Sequence, residues 1–321
     1  MSKVLVSGGA GFLGSNLVKR LVDDAREVVV ADDLSRGNIN NLIDLDCKPL
    51  PDVLSGDLKN YDVALEAVEG CDTVFHLAAR VGSVAFLHGC PELELEAFQQ
   101  NTLIDTNVFR ACLEHSVKNI VYASSVSVYP IHWQMLGNAV FGEDASLGDP
   151  DGGYGHAKVQ GEYQLSLMKD CKVGVARIFS VYGPCMDLKK SVQAVGALCK
   201  KAVEYPSRPF KVWGSGEQTR DYLYVDDCVD ALLLLEKTGG TVNVGSGVAT
   251  SLDDVARRII RLSGKQIWLR HDLKKPVGAF GRTAKVDRLK ALGWKQKTSL
   301  DNGLAKTFEW VERRLKEEVK G

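Results

Sequence analysis

"VSGGAGFLGSN", residues 6 to 16, sets Gly8, Gly11 and Gly14 at three-residue intervals between a β-branched run and a helical one. The run "VLVSG" (4 to 8) reads as a buried strand. Phe12, Leu13, Leu17, Val18 and Leu21 then follow the spacing of a helix buried on one side. A second strand, "EVVVADD" (27 to 33), closes the unit. Strand, glycine turn, helix, strand is the βαβ crossover, right-handed when both strands share a sheet. In that setting the glycines let the backbone approach a pyrophosphate, which the free N–H groups and dipole of the helix start stabilise.

Further strands recur along the chain: "TVFHLAA" (73 to 79), "NIVYASS" (119 to 125) and "VGVARIF" (173 to 179). Nearly continuous apolar strands imply burial on both faces, as in a parallel sheet covered by helices. The fold expected is α/β, a Rossmann-type doubly wound parallel sheet with a smaller C-terminal lobe. Residues 1–180 are expected to form the dinucleotide-binding domain, with some later segments returning to it, and 181–321 mainly the substrate lobe. Past residue 180 the alternation loosens, and "YPSRPFKVWGSGEQTRDY" is rich in turn formers. Near the C-terminus, Leu304, Phe308, Val311 and Leu315 fall on one helix face.

Bulk properties narrow the partners. With 321 residues, 45% hydrophobic and 25% charged, the chain can bury a sizeable core, and a formal charge of -1 gives no general pull toward nucleic acid or an anionic membrane. Small molecules remain. The eight cysteines are scattered, with no Cys-x-x-Cys pair and no ligand-like cluster with the histidines, so no metal site is expected. The apolar run in "ALLLLE" is too short to span a bilayer, and the opening "MSKVLVSGG" lacks the pattern of a leader peptide. A cytoplasmic location is the expectation.

Asp32 ends the second strand in "VVVADDLSRG". A carboxylate there accepts hydrogen bonds from an adenosine ribose and repels a 2′-phosphate, which favours NAD, although Arg36 nearby keeps NADP open. Further on, "YGHAKVQGE" supplies Tyr154 and Lys158 at Tyr-x-x-x-Lys spacing. Residues i and i+4 share a helix face, so an ammonium beside the phenol is expected to bring its pKa down toward neutrality and make a base for a hydroxyl. Alone, such a pair is usually surface decoration. A dinucleotide turn upstream and the serine-rich "YASSVSVYP" (122 to 130) change that weighting.

Together these motifs resemble the extended short-chain dehydrogenase/reductase family, specifically its nucleotide-sugar epimerases and dehydratases, over nearly the whole length. The resemblance implies NAD held by Gly8, Gly11, Phe12, Leu13 and Gly14, by Asp32, by Asp57 and Leu58 of "GDL", and by Ala78, Ala79 and Arg80 of "HLAARVGS". It adds Asn101 of "NTLIDTN", Ser124, Tyr154, Lys158 and Phe179. His76, read without the family, is a core or supporting histidine rather than a ligand. The resemblance also implies a catalytic triad of Ser125, Tyr154 and Lys158. Ser127, Ser180, Arg220 and Arg282 would face a nucleotide-diphosphate sugar, the two arginines as forks for the diphosphate. Where the family reads "RxFNxYGP" this chain has "RIFSVYGP", so Ser180 replaces an asparagine that both donates and accepts.

Position 127 bears on the reaction. Sugar dehydratases place an acid pair just after the catalytic serine, and the UDP-glucuronate decarboxylases a glutamate. GDP-mannose 3,5-epimerases and GDP-fucose synthases place a cysteine at 127, and serine is a far poorer proton carrier than a thiol. The expectation is therefore epimerisation at C4. The enzymatic alternative is a 3,5-epimerase or epimerase/reductase of GDP-sugars, and the non-enzymatic one is an NAD-binding sensor or scaffold. The resemblance further implies a homodimer packed through helices near 98 to 116 and 154 to 169.

Overall fold

The computed structural model describes residues 3–81, 89–189, 193–275 and 277–318. Strand and helix alternate through β1 (Lys3–Ser7), α1 (Phe12–Asp23), β2 (Glu27–Asp32), α2 (Asn40–Asp44), β3 (Asp52–Ser55), α3 (Tyr61–Val68), β4 (Thr73–His76), α4 (Pro91–Glu114) and β5 (Asn119–Ser125). There follow α5 (Ile131–Gln134), β6 (Val140–Phe141), α6 (Gly152–Leu167), β7 (Lys172–Ile178), β8 (Ser180–Tyr182), α7 (Ala194–Glu204), β9 (Lys211–Trp213) and β10 (Thr219–Tyr224). The chain continues with α8 (Val225–Thr238), β11 (Gly240–Val244), β12 (Ala249–Ser251), α9 (Leu252–Ser263), β13 (Arg270–Asp272), β14 (Gly281–Ala284), α10 (Asp287–Ala291) and α11 (Leu300–Glu318).

Seven parallel strands form the main sheet in the order β11-β7-β5-β4-β1-β2-β3. The chain winds outward from β1 through β2 and β3, then returns to the other side of β1 with β4. Ligands of open α/β sheets bind outside the strand ends at that reversal, here between β1 and β4. Both faces are covered, so the central strands are apolar through their middles: Val4, Leu5, Val6, Val74 and Phe75 have no exposed surface.

A second sheet, β12-β10-β14-β6 with β8 also paired to β10, builds the lobe. Sheet membership does not follow chain order. β6 leaves the first half of the chain to pair with β14, and β11 leaves the second half to extend the main sheet beside β7. One apolar core accordingly runs through both parts, from Leu17 and Val30 to Leu223, Leu235 and Val244. Leu304, Phe308 and Val311 of α11 are buried in it and Leu315 packs against it, the face read from their spacing. α4 starts with proline in its first turn and carries Glu92 and Glu94 there, which suit the fixed φ and the positive end of the helix dipole.

Candidate active site

The glycine turn leaves β1 with Gly8 at φ +69°, and α1 starts at Phe12 with no side-chain cap on its first N–H groups. A Cβ at Gly14 would fall inside the Gly8 carbonyl oxygen and 2.7 Å from Gly9 Cα, so the helix can sit this close to the turn only with glycine. The uncapped N–H groups face a cavity of about 920 Å³. Its walls include Gly8, Gly11, Phe12, Leu13, Gly14, Asp32, Asp57, Leu58, Ala78, Ala79 and Arg80.

Asp32 holds its place at the end of β2 by accepting hydrogen bonds from Ala10 N (3.0 Å) and Leu34 N (2.9 Å). Burial nonetheless lifts its carboxyl above the usual range. Arg36 also lines the cavity, but its guanidinium pairs with Asp187 at 3.6 Å. The "GDL" loop is tied from below by Asn107, whose amide donates to Leu58 O (3.1 Å) and Lys59 O (2.8 Å). An unfilled helix N-terminus, a cradle that a single methyl would block and a carboxylate at the end of β2 fit a dinucleotide with an unmodified ribose.

Asn101 stands behind this wall rather than on it. Fully buried, it accepts from Arg80 N (2.8 Å) and donates to Arg80 O (3.0 Å) and Ala97 O (2.7 Å), which makes it the clamp on the Arg80 backbone. Gly82 and Ser83 of "HLAARVGS" lie outside the described residues. Ser124 is buried and donates to Glu162 (2.5 Å), which forks Arg177. Phe179 is 7% exposed and packs with Tyr129, Phe141 and Val126, away from the cavity walls.

Ser125, Tyr154 and Lys158 come together at the C-terminal end of β5 and on the facing side of α6. Two backbone features lock these elements: Asp151 N donates to Ser127 O (2.7 Å), and a Cβ at Gly155 would stand 3.1 Å from the Ser127 carbonyl carbon. Ser127 is itself buried, and its N–H donates to Ser125 Oγ at 3.1 Å. Ser125 is hydrogen-bonded to the Tyr154 phenol, and Lys158 Nζ lies 5.8 Å from the Tyr154 ring centre.

The expectation that Lys158 draws the phenol toward neutrality is not met in this geometry. Burial raises the Tyr154 phenol well above its ordinary range and the Asp105 carboxylate raises it further, with only the Ser125 bond pulling it down. Helical spacing does put Lys158 on the same face. Its ammonium, however, turns to Asp105 at 4.0 Å and to the Tyr122 ring at 4.3 Å. The group that redirects it sits on α4, where the Tyr-x-x-x-Lys motif carries no information.

In the lobe, Arg220 of β10 and Arg282 of β14 are register partners in adjacent parallel strands. Arg220 donates to Thr219 O (2.7 Å), and its pKa is pushed down to about 10 by burial and then by the like charge of Arg282. Arg282 bonds Asp151, at the start of the helix that carries Tyr154, yet its Nε is buried without a partner. Two half-buried guanidiniums that share one carboxylate, Asp151, suit a dianion. Ser180 pairs in register with Tyr222, whose hydroxyl is buried and likewise unpartnered. Sequence reasoning singled out both arginines and missed Tyr222, since an aromatic residue in a strand signals packing rather than a free hydroxyl.

Comparison with known proteins agrees with this geometry. The sequence matches the NAD dependent epimerase/dehydratase family over residues 4–245. GDP-mannose 3,5-epimerase 1 of Oryza sativa subsp. japonica is 30% identical over 98% of this chain and 83% of its own. UDP-glucose 4-epimerase of Mycolicibacterium smegmatis is 30% identical over 96% and 98%. Among solved structures, Thermus thermophilus UDP-glucose 4-epimerase in complex with NAD superposes with a TM-score of 0.81 at 26% identity, over 96% of this chain and 98% of that one. The α/β architecture, the dinucleotide cradle and the helix that carries Tyr154 and Lys158 thus meet in one assignment: the chain belongs to the NAD dependent epimerase/dehydratase family, as an enzyme with NAD as its cofactor.

Proposed function

We propose that the protein is an epimerase that inverts C4 of a nucleotide-diphosphate sugar through a transient 4-keto intermediate. The observation that carries this reading is the Ser125, Tyr154, Lys158 cluster beside a position 127 that offers neither acid nor thiol. Bound in the cradle, NAD supplies a hydride acceptor and donor for C4. Tyr154 takes the C4 hydroxyl proton as that carbon is oxidised and returns it on reduction. Tyr154 acts as base from its phenolate form, which the Ser125 hydrogen bond favours against burial and the Asp105 carboxylate. Ser125 also orients the sugar oxygen, while Arg220 and Arg282 grip the diphosphate and leave the sugar free to present either face.

The second reading, a 3,5-epimerase of a GDP-sugar, is favoured by the rice relative at 30% identity over 98% of this chain. Serine at 127 counts against it, because moving protons at C3 and C5 calls for a group that titrates near neutrality. For the assembly, we read Leu95, Leu103 and Leu113 of α4 with Tyr163 and Leu167 of α6, all exposed, as one face of a homodimer. The proposed location is cytoplasmic; no helix among the described residues is long and apolar enough to cross a membrane. The test is turnover of a panel of UDP-, GDP- and dTDP-sugars with NAD⁺, with product configuration read by NMR. A product inverted at C4 alone supports the reading. Retained C4 configuration with inversion at C3 or C5 sinks it, and NAD binding without turnover would leave a sensor.

A further inference from the structure

Beneath the catalytic pair lies a chain of buried polar groups drawn from five elements: Ser7, His76, Asp105, Tyr122 and Lys158. All are buried, Ser7, His76, Asp105 and Tyr122 completely. Ser7 Oγ accepts from Leu77 N (3.1 Å) and Ala78 N (3.2 Å), so its own hydrogen is free for His76 Nδ1 at 2.7 Å. That assigns the other hydrogen to His76 Nε2, which donates to Asp105 Oδ1 at 2.9 Å. Tyr122 OH donates to Asp105 Oδ2. Lys158 Nζ stands 4.0 Å from Oδ1.

An amide at 105 would keep only one of these two acceptors, since its NH2 would face either His76 Nε2–H or the Tyr122 hydroxyl, whereas the carboxylate accepts from both. The carboxylate also brings charge, and the cation beside it is Lys158. The remaining acid on the Lys158 side, Glu162, is committed to Arg177 in a two-pronged pair and to Ser124.

We propose that Asp105 is the positioning residue of the catalytic lysine, its carboxylate supplying the counter-charge that holds Lys158 as an ammonium and fixes where Nζ rests, with His76 and Tyr122 holding the carboxylate. This rests on the assignment of Lys158 to the reaction site. The electrostatics agree with the geometry. Burial lowers Lys158, while Asp105 and then Glu162 push it back up. Burial would raise Asp105, yet Lys158, His76 and Tyr122 together leave it below the usual carboxylate range. Burial keeps His76 neutral against the pull of Asp105, as its acceptance of the Ser7 hydrogen at Nδ1 requires. The same carboxylate is second only to burial in raising Tyr154, so Asp105 biases the charge state of both partners.

The test is an NMR titration of the full-length protein carrying lysine labelled with ¹³C at Cε, with and without NAD⁺ and with no sugar. The Lys158 signal is identified by its loss in Lys158→Met. In Asp105→Asn the Lys158 midpoint should move to lower pH, changing the ammonium-to-amine ratio at a fixed pH by about tenfold or more. Asp105→Glu, which keeps the charge, should restore the wild-type midpoint. Asp105→Ser, neutral and smaller, gives the same reading if the amide variant does not fold. A purely structural role would lower the melting temperature and leave the midpoint in place. An unmoved midpoint in a folded neutral variant overturns the proposal. Because no sugar is present, that failure is separate from any failure of the C4 reading, which would appear as absent or different turnover with the titration shift intact.

Discussion

Replacing Gly14 with alanine tests the cofactor cradle at its tightest point. The added methyl would overlap the Gly8 carbonyl oxygen and approach Gly9 Cα to 2.7 Å, where ordinary carbon contacts need about 3.5 Å. Neither neighbour is a flexible side-chain tip, so turn and helix must separate by a sizeable part of an ångström or more. That separation misaims the N–H groups of the turn and of the first helical turn. Hydrogen bonds to a charged partner are worth about 1.5–3 kcal/mol each, so losing one or two costs about 3 kcal/mol, or roughly 100-fold in NAD⁺ affinity. Gly11 is the internal control, since a Cβ there would meet only the Gly8 oxygen at 3.2 Å, which a small adjustment relieves. Isothermal titration with NAD⁺ should show a roughly 100-fold loss for Gly14→Ala and a few-fold loss for Gly11→Ala. Equal affinities for the two variants, both folded by circular dichroism, would refute the steric argument.

Tyr154→Phe should keep NAD⁺ binding and the melting temperature while turnover falls about 10²- to 10⁴-fold, read by the same sugar assay. Arg220→Met should raise KM for the nucleotide sugar roughly 10- to 100-fold through the loss of charge-assisted hydrogen bonds. Its melting temperature should hold or rise, because the half-buried Arg220 charge stands beside the like charge of Arg282. Stability should also depend on pH through His76. Burial lowers its folded pKa below the ordinary 6.5, so as pH falls through that value the unfolded chain takes up a proton that the folded one refuses. Chemical denaturation should then show stability lost from neutral pH toward pH 5, with a smaller slope in His76→Gln; an unchanged slope would show that other groups carry it.

The parts of the fold legible in the sequence are those encoded locally. The β1 turn into α1 is written in adjacent residues, glycines where the backbone crowds and apolar residues at helical spacing. Tyr154 and Lys158 share a helix face by arithmetic. That some later segments return to the first part is expected from the sequence, but which ones is not legible, because a strand of two or five residues such as β6 or β11 does not say which sheet it will join. Asp105 escaped notice for a related reason. Its partners His76, Tyr122 and Lys158 stand 17 or more residues away in sequence, on two separate strands and on α6. One local signal was present: in "NTLIDTN" an acid follows Asn101 by four residues, on the helix face that the buried asparagine identifies as inward. A buried acid needs a partner, and a cation is the one that offsets its charge. Gly161 carries the same information from the other side, because a Cβ there would stand 2.8 Å from Asp105 Oδ2.

In C4 epimerisation by this site, hydrogen at C4 leaves and returns within the protein while C3 and C5 are untouched. The decisive measurement is turnover in D₂O of a nucleotide sugar labelled with ¹³C around the ring, followed by NMR. Product should be inverted at C4 with the original hydrogen still on that carbon and no solvent deuterium at C3 or C5. Deuterium entering at C3 or C5, with C4 restored to its starting configuration, would contradict it.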